Sequence, residues 1–261
     1  MFSLETLILN QLATFTLVLA RIGALMMTAP IFGSRAAPMR FRALLAVSMT
    51  LLVTPLFTTR PPADITHLLI FARYLINEAL VGLLLGLGIM ILLSGIQLTG
   101  QIISQMSGAA LANVFDPTLN NTVSVYSQLL YFLALAMFVL LNGHQLLMEA
   151  MLDTYTWLPP GRALFGQSYV AALVTILSQS FLLGVRAAAP AMTALLLATL
   201  LLGLIGRTLP QINILAVGFG INTMLTLGIL LLSLGSIAWA FPQQTTIAIE
   251  LLQDAVKEAA E

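Results

Sequence analysis

Four ionisable side chains stand inside otherwise apolar runs of this 261-residue sequence: Arg21, Arg73, Glu78 and Arg186. Each charge at the centre of an apolar helix costs roughly 2.5–3.5 kcal/mol on insertion scales, so it needs a partner or a pathway. The pathway chemistry is a proton or ion relay. The alternative is pairing across helices, or exposure to a wet interior within an assembly. Arg73 and Glu78 are five positions apart, off one another's helical face, which sends each to a partner elsewhere. No run of carboxylates traces a path, and pairing is the favoured reading.

The remaining chemistry is sparse. The two histidines, His67 and His144, lie on different segments, and His-Glu-x-x-His is missing. His144 with Glu149 and Asp153 has metal-ligand types, but Asn142-Gly143-His144 reads as a polar helix interruption. Glu149 and Asp153 approach Tyr155, Trp157 and Pro159-Pro160, an interface signature, and neither a metal nor a cofactor is expected. Cysteine is absent, which removes disulfides, thiolate nucleophiles and iron–sulfur sites. There is no phosphate-binding loop for an ATP-driven pump and no dinucleotide fingerprint.

The elements that must position these residues are set by composition. Hydrophobic residues make up 59% of the chain and charged ones 8%, against roughly 45–50% and about 25% in a globular protein. Such a chain has too little polar surface to cover its apolar mass in water. The reading is an all-α integral membrane protein, neither soluble enzyme nor disordered chain. Ten basic and ten acidic residues cancel, so nothing points to nucleic acid or to a polybasic membrane anchor.

About six apolar segments follow: 7–32, 41–57, 65–103, 123–152, 169–205 and 212–241, with a tail over 246–261 read as an exposed helix end. The first carries Glu5 ahead of it and Arg21 within it, and reads as a retained helix rather than a signal peptide. Arg35, Arg40 and Arg42 give a weak cytoplasmic bias to the first connection. The third and fifth segments are too long for a hydrocarbon core of roughly 30 Å. They must break, turn back, tilt or leave the bilayer, with Pro190 a candidate break. Apolar length outside lipid needs protein neighbours, so partner subunits are implied. Gly82, Gly86 and Gly88 form a small-residue face for close helix contact.

Two connections stand out. Residues 105–121 contain Met106, Gly108, Leu111, Val114, Phe115, Asp116 and Pro117, small or apolar side chains ending in turn signals. An apolar irregular loop cannot face lipid; it is either an ordinary buried loop or a cavity-lining plug that yields when something pushes through. Residues 203–219 form a tight elbow in which Arg207, Gln211 and Asn213 are expected to donate to carbonyls freed by Pro210 and the helix ends.

Taken in order, these pieces resemble the FliR family of flagellar type III export gates and its injectisome relatives. The carrying residues are Arg21 with Ala29-Pro30-Ile31, then Gly108 to Pro117, then Asn142-Gly143-His144. Asp153 with Leu158-Pro159 follows, and then Gly206-Arg207 through Pro210-Gln211 to Gly218-Phe219. The similarity covers nearly the whole chain. The chain departs from the family in carrying Gly220 where proline is frequent, and Leu111 and Val114 where relatives carry phenylalanine.

The resemblance implies a structural pore or gate subunit without catalysis, passing unfolded flagellar proteins across the bacterial inner membrane within the basal body. It implies FliP and FliQ as core partners, with FlhB and FlhA nearby. Residues 1–165 are then FliP-like and residues 166–245 a FliQ-like hairpin. Arg21, Pro30, Arg73, Glu78, Asn142, Gly143, His144, Arg186, Arg207, Pro210, Gln211, Asn213, Gly218 and Phe219 become structural or assembly residues. A proton- or ion-coupled small-solute transporter is the competing reading.

Overall fold

The computed structural model describes residues 4–33, 38–57, 68–108, 124–164, 166–209, 211 and 214–260. Every long element among them is an α-helix: α1 (Leu4–Thr28), α2 (Met39–Val53), α3 (Leu68–Met106), α4 (Val125–Leu140), α5 (Gly143–Trp157), α6 (Gln167–Thr208) and α7 (Ile214–Glu258). Among the described residues five helices are long and apolar enough to cross a membrane, or six if α4 and α5 form one broken span. This is the all-helical membrane architecture that the composition requires.

The overlong segments do not break. α3 has 39 residues and α6 has 42, about 58 Å and 63 Å long at 1.5 Å per residue. Pro190 lies inside α6, yet the helix continues through it. A proline removes a single ladder bond, and the buried Ala188 and Ala191 on either side keep the flanking turns packed. The interruption falls instead in the fourth segment, where Asn142 adopts a left-handed backbone with φ 56°. Asparagine tolerates this conformation better than most residues. The tail differs from expectation as well. α7 runs on to Glu258, and Ala248, Leu252, Ala255 and Val256 along it are buried. Its charges are spaced so that Glu250, Lys257 and Glu258 stay exposed while an apolar stripe recurs every three or four residues.

Packing divides the chain into two compact units. The first comprises Met1–Ile91, Asn142–Leu177 and Thr245–Glu261. In it α1 buries Leu17, Val18, Arg21, Ile22, Leu25 and Met26, a stripe at helical spacing. The glycine face of α3 does what its spacing predicts. Gly82 lies against the Arg21 carbonyl and Ala24, Gly86 against Thr28, and Gly88 against Leu252. A lipid-embedded helix gains from van der Waals packing rather than from hydrophobic transfer, so close approach matters more than bulk.

The second unit comprises Leu92–Leu141 and Ser178–Gln244. Gly95 packs on the Ser180 backbone and Gly184 on the Gly95 carbonyl, and the Thr99 hydroxyl donates to the Gly184 carbonyl at 3.0 Å. Gly100 lies against Ser127, whose hydroxyl donates to Gln101 Oε1 at 3.2 Å. Ile103, Ala188 and Ala191 form a small core beside these contacts.

Burial is uneven along the spans. In the most apolar window of α3, 61% of residues are buried, against 22% in α6 and 17% in both α2 and the 217–235 span of α7. α3 is therefore a core helix, whereas α2, α6 and α7 keep most of their apolar surface for lipid or for other proteins.

Candidate functional site

The most constrained chemistry of the first unit surrounds Arg21. Its guanidinium is fully buried and paired with the fully buried carboxylate of Glu78, with Nη2 to Oε2 at 2.6 Å. Nε donates to Glu78 Oε2 at 2.7 Å, Nη1 to the Thr154 hydroxyl at 2.9 Å, and Nη2 to the Leu158 carbonyl at 3.0 Å. The other Glu78 oxygen, Oε1, accepts from the Gly161 backbone N–H at 2.8 Å. The Arg21 guanidinium also lies over the Tyr155 ring, 4.2 Å from its centroid, a cation–π contact.

Each partner has a local reason to be where it is. Thr154 sits in the last turn of α5 and returns its own hydroxyl proton to the Met151 carbonyl at 2.6 Å. α5 stops at Leu158 because Pro159 and Pro160 cannot continue it, which leaves the Leu158 carbonyl free for Arg21. Gly161 then takes φ 82°, a left-handed conformation suited to glycine, and turns its N–H toward Glu78. One residue before Glu78, the Asn77 amide donates to the Ala163 carbonyl at 2.9 Å. Two adjacent side chains of α3 thus tie down the 158–163 connection, and Arg21 ties both to α1.

This network is saturated: the Arg21–Glu78 pair has hydrogen-bond partners on both members and no route to solvent. A proton relay needs a group that can exchange its partner, and neither of these is free to do so. The arrangement can clamp three segments of the chain. Pairing across helices, rather than along one, is what the five-residue offset of Arg73 from Glu78 anticipated. Tyr155 and Leu158-Pro159 stood out in the sequence for other reasons, and a glycine after Pro-Pro marks a turn, but nothing in the residue pattern assigned Thr154, Tyr155, Gly161 or the Leu158 carbonyl to this pair.

The other expected site residues are dispersed. Arg73 and Arg186 are exposed, on α3 and α6. Pro30 is buried in the turn after α1, where the Gly33 N–H donates to the Ala29 carbonyl at 2.6 Å. Asn142 is exposed and Gly143 buried, and the half-buried His144 has its Nδ1 shielded without a hydrogen-bond partner among the described residues. Of the plug-like loop, Met106 ends α3 half-buried and Gly108 follows with φ 77°. Leu111, Val114, Phe115, Asp116 and Pro117 lie outside the described residues, as do Pro210 and Asn213 of the elbow.

At the described end of α6 the carbonyls meet other donors than the expected ones. Arg207 and Gln211 are exposed and donate to no carbonyl among the described residues. The last turn of α6 is closed by the Thr208 hydroxyl, which donates to the Ile205 carbonyl at 2.9 Å, and by the Leu209 N–H, which donates to the same carbonyl at 2.8 Å. A short hydroxyl reaches a carbonyl three residues back, whereas the Arg207 side chain stays exposed. Gly218 is buried near Leu202, and Phe219 remains exposed.

Comparison with known proteins shows the family. Residues 12–247 match the family described as bacterial export proteins, family 1. The chain is similar to the flagellar biosynthetic protein FliR of Caulobacter vibrioides, 32% identical over 231 residues, covering 87% of this chain and 91% of the relative. It is similar to the protein of that name from Escherichia coli, 33% identical over 216 residues, with 82% and 81% covered. The Bacillus subtilis relative is 27% identical over 251 residues, with 95% and 96% covered.

Proposed function

Because this chain belongs to the FliR family of bacterial export proteins, we propose that it is a structural pore or gate subunit of the flagellar type III export apparatus. Family membership makes it a component of the flagellar export apparatus, and its spans put it in a bacterial membrane. The finer reading is that it sits in the inner membrane with FliP and FliQ as core partners and FlhB and FlhA nearby. Residues 1–165 then act as a FliP-like region, and residues 166–245 as a FliQ-like hairpin joined at the 203–219 elbow. Unfolded flagellar proteins pass the assembly while this chain performs no catalysis.

One observation carries the proposal: the chain leaves its hairpin uncovered. Leu196, Leu197, Leu200, Leu201 and Leu204 of α6 are each more than half exposed, as are Leu231 and Leu232 of α7. The spans that bear them are far less buried than α3. Apolar surface on this scale is left for lipid and for partner subunits, and the proposed assembly uses part of it as subunit contact. The small-solute transporter alternative is weakened by the Arg21–Glu78 clamp, which withdraws this buried carboxylate from any relay.

The gate assignment rests on loop 105–121 and is tested there. Deleting residues 109–114 in the assembled complex is expected to raise small-molecule or ion leak across the membrane while the complex still assembles. An unchanged leak in a complex of normal yield would refute the plug.

A further inference from the structure

Within the second unit, α6 and α7 with Ile96 of α3 line a notch of about 310 Å³ that is mostly apolar, Arg186 being the one charged side chain among its described lining residues. Arg186 is exposed and makes no ion pair or hydrogen bond among the described residues. Trp239, 72% exposed, Gln243 and Gln244 complete the polar part of the lining. An uncompensated guanidinium is costly beside so much apolar surface unless an anion meets it.

The notch also marks a level along the hairpin. From Arg186 to the end of α6, residues 187–208 span about 33 Å, close to a hydrocarbon core of roughly 30 Å. In α7 the apolar span is Val217–Gly235, and Trp239, Gln243 and Gln244 follow it. Tryptophan and cationic side chains at the end of an apolar span belong to the headgroup region. Pro190 has no N–H to offer the Arg186 carbonyl, and Pro242 has none for the Ala238 carbonyl. Both helices therefore release a backbone acceptor at this level, where headgroups and water can meet it.

We propose that this notch is a phospholipid site: Arg186 binds the phosphodiester of an anionic membrane lipid, Trp239, Gln243 and Gln244 form the rim, and the acyl chains follow the apolar hairpin toward the elbow. A volume of about 310 Å³ accommodates a headgroup but not a whole lipid, which leaves the chains outside it. The inference uses the membrane span alone and stands apart from the gate assignment.

The chain has two tryptophans, Trp157 and Trp239, so Trp157→Phe leaves Trp239 as the single reporter in the full chain reconstituted in liposomes. Phosphatidylglycerol with brominated acyl chains is expected to quench Trp239 at a roughly fivefold lower mole fraction than brominated phosphatidylcholine, the worth of one cation beside an anionic lipid. Arg186→Gln removes the difference. Equal quenching by both lipids, or a preference that survives Arg186→Gln, overturns the proposal. Relief of the preference by millimolar inorganic phosphate would identify a free-anion site and overturn the lipid assignment. A second measurement needs no tryptophan variant. In the assembly purified from membranes, Arg186→Gln lowers the phosphatidylglycerol retained through detergent exchange. Unchanged retention means that another subunit covers the notch, which also overturns the proposal.

Discussion

Replacing Arg21 with methionine removes the cation from a carboxylate that has no access to solvent. Glu78 keeps the Gly161 N–H on Oε1 and loses both the charge and the Nε and Nη2 donors on Oε2. The Leu158 carbonyl loses its donor, and Tyr155 loses the guanidinium over its ring. Breaking one side of a fully buried ion pair costs about 3–5 kcal/mol, mostly because the surviving charge is left buried and alone. For a chain of this size each kcal/mol moves a thermal midpoint by about 2–4 °C, so the expected fall is roughly 6–20 °C. The assay is heating the full chain in mild detergent and following the soluble monodisperse fraction by size exclusion. Adding Glu78→Gln to Arg21→Met removes the stranded charge while Oε1 can still accept from Gly161, and the double variant should recover a large part of the loss. The midpoint of Arg21→Met/Glu78→Gln therefore lies above that of Arg21→Met alone. If Arg21→Met costs less than about 1 kcal/mol, or if the two substitutions add, the pair is not the clamp described here.

Four further expectations follow from packing and exposure. Gly82→Ala places a methyl against the Arg21 carbonyl and 3.0 Å from Ala24 Cβ, and should destabilise by about 1–3 kcal/mol. Gly203→Ala meets nothing within 4 Å and should be neutral or stabilising by up to about 1 kcal/mol; paired thermal midpoints in detergent check both. Leu252→Ala empties a fully buried position beside Gly88 and should cost about 2–5 kcal/mol, read as reduced steady-state protein and a lower midpoint. Arg207→Ala should leave the midpoint of the isolated chain within about 0.5 kcal/mol, because the side chain is exposed, while reducing the yield of assembled complex on a native gel. An effect on the isolated chain as large as that on assembly would return Arg207 to a capping role.

Much of the architecture was legible because membrane composition and helical period are one-dimensional signals. The apolar segments, the glycine face at 82, 86 and 88 and the interruption at Asn142 depend on residue type and on spacing along one helix. What a residue meets on another helix does not. The 57-residue separation between Arg21 and Glu78 leaves no trace in the sequence, and the Leu158 carbonyl and Gly161 N–H are backbone atoms that any residue type supplies.

Local reasoning also failed where it weighed a single residue against a whole helix. Pro190 looked like a break, but one missing hydrogen bond does not end a helix whose flanking alanines are packed. The charged tail looked exposed, although the stripe of Ala248, Leu252, Ala255 and Val256 within it is buried. Arg207 looked like a cap, and the described end of α6 carries a bond from the neighbouring Thr208 instead. That this chain is a helical membrane protein, and which of its residues are costly there, follows from residue types alone, because transfer cost belongs to the residue. Which cost is met within the chain emerges only from packing in three dimensions, where the Glu78 carboxylate meets Arg21 while Arg186 is left in an open notch, because compensation is a property of pairs in space.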